Sequence, residues 1–193
     1  MHGAMPASDL KPGNAADSGA VTNRVRESSF LTNAAMGAAM EATTMNTSTH
    51  IDYKALDPEA YQHLFQLSQH LHKGALGSKL IELMSLRISQ INGCVFCLDM
   101  HASLLRKMGV SQRKLDTLAG WRECELFDER ERAALAWAEA LNAIGGAQMP
   151  EGALAAARRH FDERELSELS FAVAMIRAWN MLNVGLGKSL PEA

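Results

Sequence analysis

What this chain is short of narrows the possibilities before any motif is read. Its 193 residues include three cysteines, five prolines and two tyrosines, and aromatic residues make up 6% of the total. Three cysteines, two of them three positions apart, do not make the framework of a disulfide-stapled secreted domain. No apolar run approaches the roughly 20 residues of a membrane-crossing helix. The N-terminus lacks a basic start followed by an apolar stretch, which argues against a secretory signal. Charge of one sign is missing too: 19 Lys and Arg against 22 Asp and Glu leave a formal net charge of -3. That balance gives no reason to expect a nucleic-acid or membrane partner. Nor does any stretch alternate apolar and polar residues for long enough to make a strand. The expected setting is cytoplasmic, and in a reducing compartment a close thiol pair reads as redox or metal chemistry.

What is present is helical. Residues 1–48 are rich in Ala, Ser, Thr, Asn and Gly with little apolar periodicity. Such a stretch cannot bury enough surface to offset the entropy of ordering it, so a disordered tail is expected there. Residues 49–189 read as one all-α domain. Asp57-Pro58-Glu59 starts a helix with Pro in its first turn, followed by the stripe Tyr61, Leu64, Phe65 and Leu71 and a stop at Gly74. Ser78 is expected to cap a second helix carrying Ile81, Met84, Ile88 and Ile91, which ends at Asn92-Gly93. A third opens at Cys94 and ends at Gly109, and Ser111 opens a short fourth.

Asp128 with Glu131 and Asp162 with Glu165 have capping-box spacing, and between them Pro150-Glu151 begins a shorter helix ending in Arg158, Arg159 and His160. The Asp-Glu-Arg-Glu run at residue 128 recurs at residue 162, but two copies cannot build a solenoid, and two ordinary helix starts account for them. The last helix, from Glu163 to about Leu182, is apolar on two sides: Leu166, Leu169, Val173 and Ile176 on one, Ala172, Met175, Trp179 and Leu182 on the other. A helix of that kind is central to its fold or buried between subunits, so a homo-oligomer is expected.

The chemistry concentrates in Cys94-Val95-Phe96-Cys97, with His101 four residues beyond the second thiol and Glu82 twelve before the first. The Asn92-Gly93 break puts Cys94 at a helix start, where free N–H groups and the positive helix end favour a thiolate. Cys94 and Cys97 lie near the Cα separation of about 5.5 Å that disulfides prefer. His101 shares a helix face with Cys97, and a hairpin turn at Gly93 lets Glu82 reach the His101 end. Thiol acidity alone gains little. Near neutrality, at about pH 7.5, lowering a thiol pKa from about 8.5 to about 6.5 raises the thiolate fraction roughly tenfold, and the accompanying loss of nucleophilicity is roughly eightfold. The larger gain lies in proton management, for which His101 oriented by Glu82 is placed.

Rival readings remain. Haem attachment needs His directly after the second Cys, where Leu98 stands. A thioredoxin-type fold needs a βαβ pattern. Structural zinc needs four ligands, which Cys94, Cys97, His101 and either Glu82 or Cys124 can supply. A metal-binding or redox-sensing oligomer without turnover therefore stands beside the redox enzyme. The plain alternative is buried thiols beside a core histidine. Cys124 reads as a passive thiol, His70 and His72 as cations suited to a helix C-terminus, and Trp137 and Trp179 as core, Trp179-Asn180 with the option of lining a pocket.

The run from Glu82 to His101 resembles the signature of the AhpD-like branch of the carboxymuconolactone decarboxylase family, with Glu, eleven residues, Cys, two, Cys, three, His. The likeness extends from about Ile51 to about Gly187, through Ala119–Glu123, Glu131–Trp137 and Ala178-Trp179-Asn180. The resemblance implies an AhpD-like helical bundle assembling as trimers or hexamers, with peroxidase or thiol–disulfide activity. It makes Cys97 the peroxidatic nucleophile, Cys94 the resolving thiol, and Glu82 with His101 the proton relay. A hydroperoxide substrate and a dithiol reductant follow, with neither cofactor nor metal. One departure is visible: Phe96 stands where the best-known peroxidase of the family has a second histidine.

Overall fold

The computed structural model describes residues 50–190; residues 1–48, read above as a tail, lie outside them. The described chain is helical throughout: α1 (Tyr53–Leu56), α2 (Pro58–His72), α3 (Ser78–Asn92), α4 (Val95–Lys107), α5 (Gln112–Asp116), a 3-10 segment (Leu118–Glu123), α6 (Glu129–Asn142), α7 (Ala153–Ala157) and α8 (Glu163–Gly185). An isolated bridge between Ile144 and Ala147 is the extent of β pairing among the described residues. None of the described helices is long and apolar enough to cross a membrane.

Local chemistry sets most of the boundaries. Asp57 accepts from the Ala60 amide at 3.0 Å and Pro58 occupies the first turn of α2. Both expected capping boxes form: Asp128 and Glu131 start α6, and Asp162 and Glu165 start α8. Gly93 ends α3 in the left-handed region at φ 69°, a backbone state that costs a glycine nothing.

Two helix starts differ from expectation. Gly77 rather than Ser78 takes the N-cap of α3 at φ 76°. Ser78 instead donates its hydroxyl to the His72 carbonyl at 2.9 Å, tying the start of α3 to the end of α2. Past Pro150-Glu151, the left-handed Gly152 (φ 74°) interrupts the helical path, so α7 begins only at Ala153 and stops at Ala157, short of Arg158, Arg159 and His160.

The helix α3 is a partition between two apolar cores. Ile81, Met84 and Ile88 join Leu71 of α2, Trp137 of α6 and Leu169, Val173 and Ile176 of α8. Leu83 and Leu86 face the other way, toward Leu105, Leu118, Trp121, Phe127 and Leu135. Full burial of each large aliphatic side chain stabilises the fold by roughly 1.5–3 kcal/mol. A third stripe of α3 is buried and polar: Glu82, Ser85 and Ser89. Polar groups survive inside only with partners. Ser89 accepts from Asn180 at 3.1 Å, and Asn92 donates to both Asn180 (2.9 Å) and Asn142 (3.1 Å). This amide cluster pins the α3–α4 corner to α6 and α8.

Along α8, the sides expected to be apolar are largely packed within the single chain, where Leu166, Leu169, Ala172, Val173, Met175 and Ile176 are buried. The uncovered apolar surface is a different stripe: Phe171 (56% exposed), Met181 (68%) and Val184 (53%).

Candidate redox site

Cys94 is the N-cap of α4, and its sulfur accepts from the Cys97 amide at 3.3 Å. The two cysteines are joined as a disulfide with Cα atoms 5.3 Å apart, and each is 1% exposed. Cys97 lies in the first turn of α4, where the unpaired amides and the helix dipole stabilise negative charge on sulfur. A further donor comes from α8: Asn183 gives an amide hydrogen to Cys97 Sγ at 3.3 Å. The Tyr53 hydroxyl, donating to Asn183 Oδ1 at 2.7 Å, fixes that amide with its nitrogen toward the sulfur.

The α3–α4 hairpin brings Glu82 and His101 together, Nδ1 of the imidazole donating to Oε2 at 2.6 Å. The second carboxylate oxygen is occupied as well. His72, at the end of α2, places Nε2 2.7 Å from Oε1 and Nδ1 2.7 Å from the Ser68 carbonyl oxygen. Burial pushes the Glu82 carboxyl up, but the hydrogen bonds from His101 and His72 outweigh it and hold the group at about 2. The bond to Glu82 raises the His72 imidazole above its ordinary value, with burial acting the other way. His101 Nε2 is buried and has no hydrogen-bond partner among the described residues.

Cys97 and His101 open onto a cavity of about 560 Å³ whose walls include Tyr61, Phe96, Met100 and Trp179. Lys188 stands at it, its ammonium 4.2 Å from the centre of the Phe96 ring. Cys94 opens elsewhere, onto a smaller cavity of about 260 Å³ with Gly93, Val95 and, again, Lys188.

Thus Cys94, Cys97, His101 and Glu82 are assembled in one place. Cys124 is not with them: its thiol lies 3.4 Å from Thr117 Oγ1 and borders the second core. Among the described residues no group of three or more His, Cys, Asp and Glu is arranged to hold a metal. Trp179 lines the cavity, whereas Asn180 belongs to the amide cluster. Sequence reasoning missed four residues. From sequence alone His72 reads as a cation at a helix C-terminus, and Lys188, Tyr53 and Asn183 carry no motif. A polar residue deep in the apolar run of α8 was the available signal for Asn183.

Comparison with known proteins places this geometry among relatives. The carboxymuconolactone decarboxylase family model matches residues 58–140. The Bacillus subtilis protein YdfG, itself uncharacterized, is 30% identical over 140 residues, spanning 72% of this chain and 95% of its own. The alkyl hydroperoxide reductase AhpD of Rhizorhabdus wittichii is 30% identical over 90 residues, 44% of this chain and 52% of that one. Among solved structures, an Agrobacterium tumefaciens protein of unknown function, named a putative antioxidant defence protein AhpD, superposes with a TM-score of 0.71. It is 33% identical and covers 75% of this chain and 99% of its own.

Proposed function

The chain belongs to the carboxymuconolactone decarboxylase family, in its AhpD-like branch, and from that premise we propose that it is a cytoplasmic peroxiredoxin-like alkyl hydroperoxide reductase, its activity carried by residues 49–189. The observation that carries this reading is the Cys94–Cys97 disulfide beside a buried His101 that is bonded to Glu82 on one nitrogen and unpaired on the other.

In the reduced protein His101 takes the Cys97 thiol proton on Nε2. The thiolate then attacks the outer oxygen of a hydroperoxide, the O–O bond breaks, and the departing alkoxide leaves as an alcohol on receiving that proton. Cys97 is now a sulfenic acid. The Cys94 thiol displaces its hydroxyl, which leaves as water, and the disulfide forms. A dithiol reductant, oxidised to its own disulfide, returns both cysteines to thiols. Asn183 and the first turn of α4 stabilise the Cys97 thiolate. The aromatic and aliphatic walls of the cavity favour peroxides with an apolar body over hydrogen peroxide.

Stopped-flow consumption of cumene hydroperoxide by the pre-reduced protein tests the assignment. Cys97→Ser falls to the uncatalysed background, and a variant as fast as the parent rules Cys97 out as the nucleophile.

The assembly proposed is a trimer or hexamer of this chain. The exposed Phe171, Met181 and Val184 stripe on α8 is the apolar surface available for it. Met181→Asp is expected to lower the mass measured by light scattering to that of a smaller species. An unchanged mass removes the stripe from the interface.

A further inference from the structure

Both oxygens of Glu82 are engaged by imidazoles, and the cysteine motif requires only one of them. Counting hydrogens on the other fixes its charge. His72 Nδ1 lies 2.7 Å from the Ser68 carbonyl oxygen, which can only accept, so Nδ1 carries a hydrogen. Nε2 lies 2.7 Å from Glu82 Oε1. An ionised carboxylate also only accepts, so Nε2 carries a hydrogen too and His72 is an imidazolium. Moving that proton onto Glu82 is the sole other way to make the bond, and a carboxyl that accepts from imidazoles on both oxygens, at 2.6 and 2.7 Å, is held below its ordinary value, which disfavours it. The pair therefore holds one proton between them and is neutral as a unit.

The same count leaves His101 neutral. Its Nδ1 hydrogen goes to Glu82 Oε2, and its Nε2 is buried without a partner. A proton there would leave a charged N–H unsatisfied in the interior, which is costly.

We propose that His72 is a positioning residue of the proton path, its positive charge on Glu82 keeping His101 in the neutral form that can accept the Cys97 proton. The inference rests on the thiol chemistry proposed above. Without a cation on Oε1, the buried carboxylate presents its whole charge to His101 and draws a proton onto Nε2 from solvent instead of from the Cys97 thiol. With His72 in place, Glu82 still orients His101 but attracts it less strongly. The exposures fit an outward path: the side chains of Glu82 and His101 are 4% and 6% exposed, that of His72 31%. His72 is thus the end of the chain that exchanges protons with water.

Charged and titratable groups lie near His72 on several elements. His70 is beside it on α2 and Lys73 just after, and the cavity it lines is shared by Tyr53 of α1, Tyr61 of α2, Glu82 of α3, Cys97 and His101 of α4, and Lys188. From α8, Glu168 accepts from the Ala75 amide at 2.9 Å and from Arg164 at 3.2 Å. Among the described residues, Glu82 is the carboxylate in hydrogen-bond contact with His72.

Nitrogen-15 NMR of the imidazoles in the oxidised protein, near neutral pH, reads the His101 protonation state directly and needs no peroxide. In His72→Gln, which keeps a donor but not the charge, the ratio of doubly protonated to neutral His101 is expected to rise on the order of tenfold. His72→Lys, which restores a cation, brings the ratio back toward wild type. In the reduced protein, the midpoint of Cys97 alkylation by iodoacetamide, followed by peptide mass spectrometry, is expected to fall by about one pH unit in His72→Gln, because an imidazolium beside the sulfur favours the thiolate. An unchanged His101 ratio in His72→Gln, or a raised ratio that His72→Lys does not lower, overturns the proposal. If His72→Gln raises the His101 ratio and His72→Lys restores it while the reduced parent consumes no hydroperoxide, the positioning role of His72 stands and the peroxidase reading is refuted instead.

Discussion

Two carboxylates, the buried Glu82 and the partly buried Glu139, are both anchored through α3 and differ in their partners. Glu139 of α6 accepts from Arg87 of α3 (2.6 Å), from the Trp121 indole (2.9 Å) and from Arg122 (2.6 Å). Glu82 accepts from two imidazoles at almost the same distances. Each is pushed up by burial and brought below its ordinary value by its donors: Trp121, Arg87 and Arg122 for Glu139, His101 and His72 for Glu82. The difference is in what the donors can release. A guanidinium keeps its protons at any physiological pH and an indole N–H does not ionise, so the Glu139 cluster is a fixed brace between α3, α6 and the 3-10 segment. Imidazoles exchange protons near neutrality, so in the proposed cycle an otherwise similar carboxylate becomes part of a conduit. On that proposal the protonation range of the partner, more than the geometry, separates a brace from a relay.

Exchanging each carboxylate for its amide gives the sharpest test of that contrast. Glu82→Gln is expected to slow hydroperoxide consumption on the order of a hundredfold, the usual range for losing a positioned acid–base group, with the fold retained. Glu139→Gln is expected to leave that rate near the parent's while lowering the free energy of unfolding by about 2–3 kcal/mol, because Arg87 is left largely buried beside a neutral partner. Denaturant unfolding and stopped-flow kinetics on the two variants check this. If Glu139→Gln loses activity as Glu82→Gln does, the two clusters are not separable.

A smaller effect appears in the pH dependence of stability. Glu82 sits at about 2 against an ordinary 4.5, so its contribution is complete above 4.5 and lost as pH falls toward 2. His72 is raised above its ordinary 6.5, so its contribution is complete below 6.5 and lost as pH rises through the folded value. Glu139 is lowered and has only the acid limb. The denaturation midpoint of the parent is therefore expected to decline modestly above neutrality. That decline disappears in His72→Gln and persists in Glu139→Gln. An alkaline decline of equal size in all three proteins removes His72 as its source.

Much of this arrangement was legible before folding, and the reasons are local. Asp128 with Glu131 and Asp162 with Glu165 announce helix starts because a capping box is satisfied within four residues. Cys94, Cys97 and His101 share one helix, so spacing alone places them. Glu82 followed from one further step, a reversal at Gly93. His72 did not, because its partnership depends on how α2 docks against α3 after the turn at residues 73–77. That docking is held by contacts such as Ser78 to the His72 carbonyl, which leave no pattern in the sequence. Tyr53 and Asn183 are 130 positions apart and meet only once α1 and α8 are in place. The start of α7 at Ala153 shows the opposite failure: the Pro150-Glu151 signal was real, but the left-handed Gly152 overrode it.

The two cysteines of the pair open onto different spaces, Cys97 onto the large aromatic-walled cavity and Cys94 onto the small one beside Gly93. In the proposed cycle this gives the protein two doors. A bulky product still leaving the Cys97 side does not block a reductant approaching the Cys94 side. Turnover can then be supplied from one direction and renewed from the other, with Lys188 standing at the jamb of both.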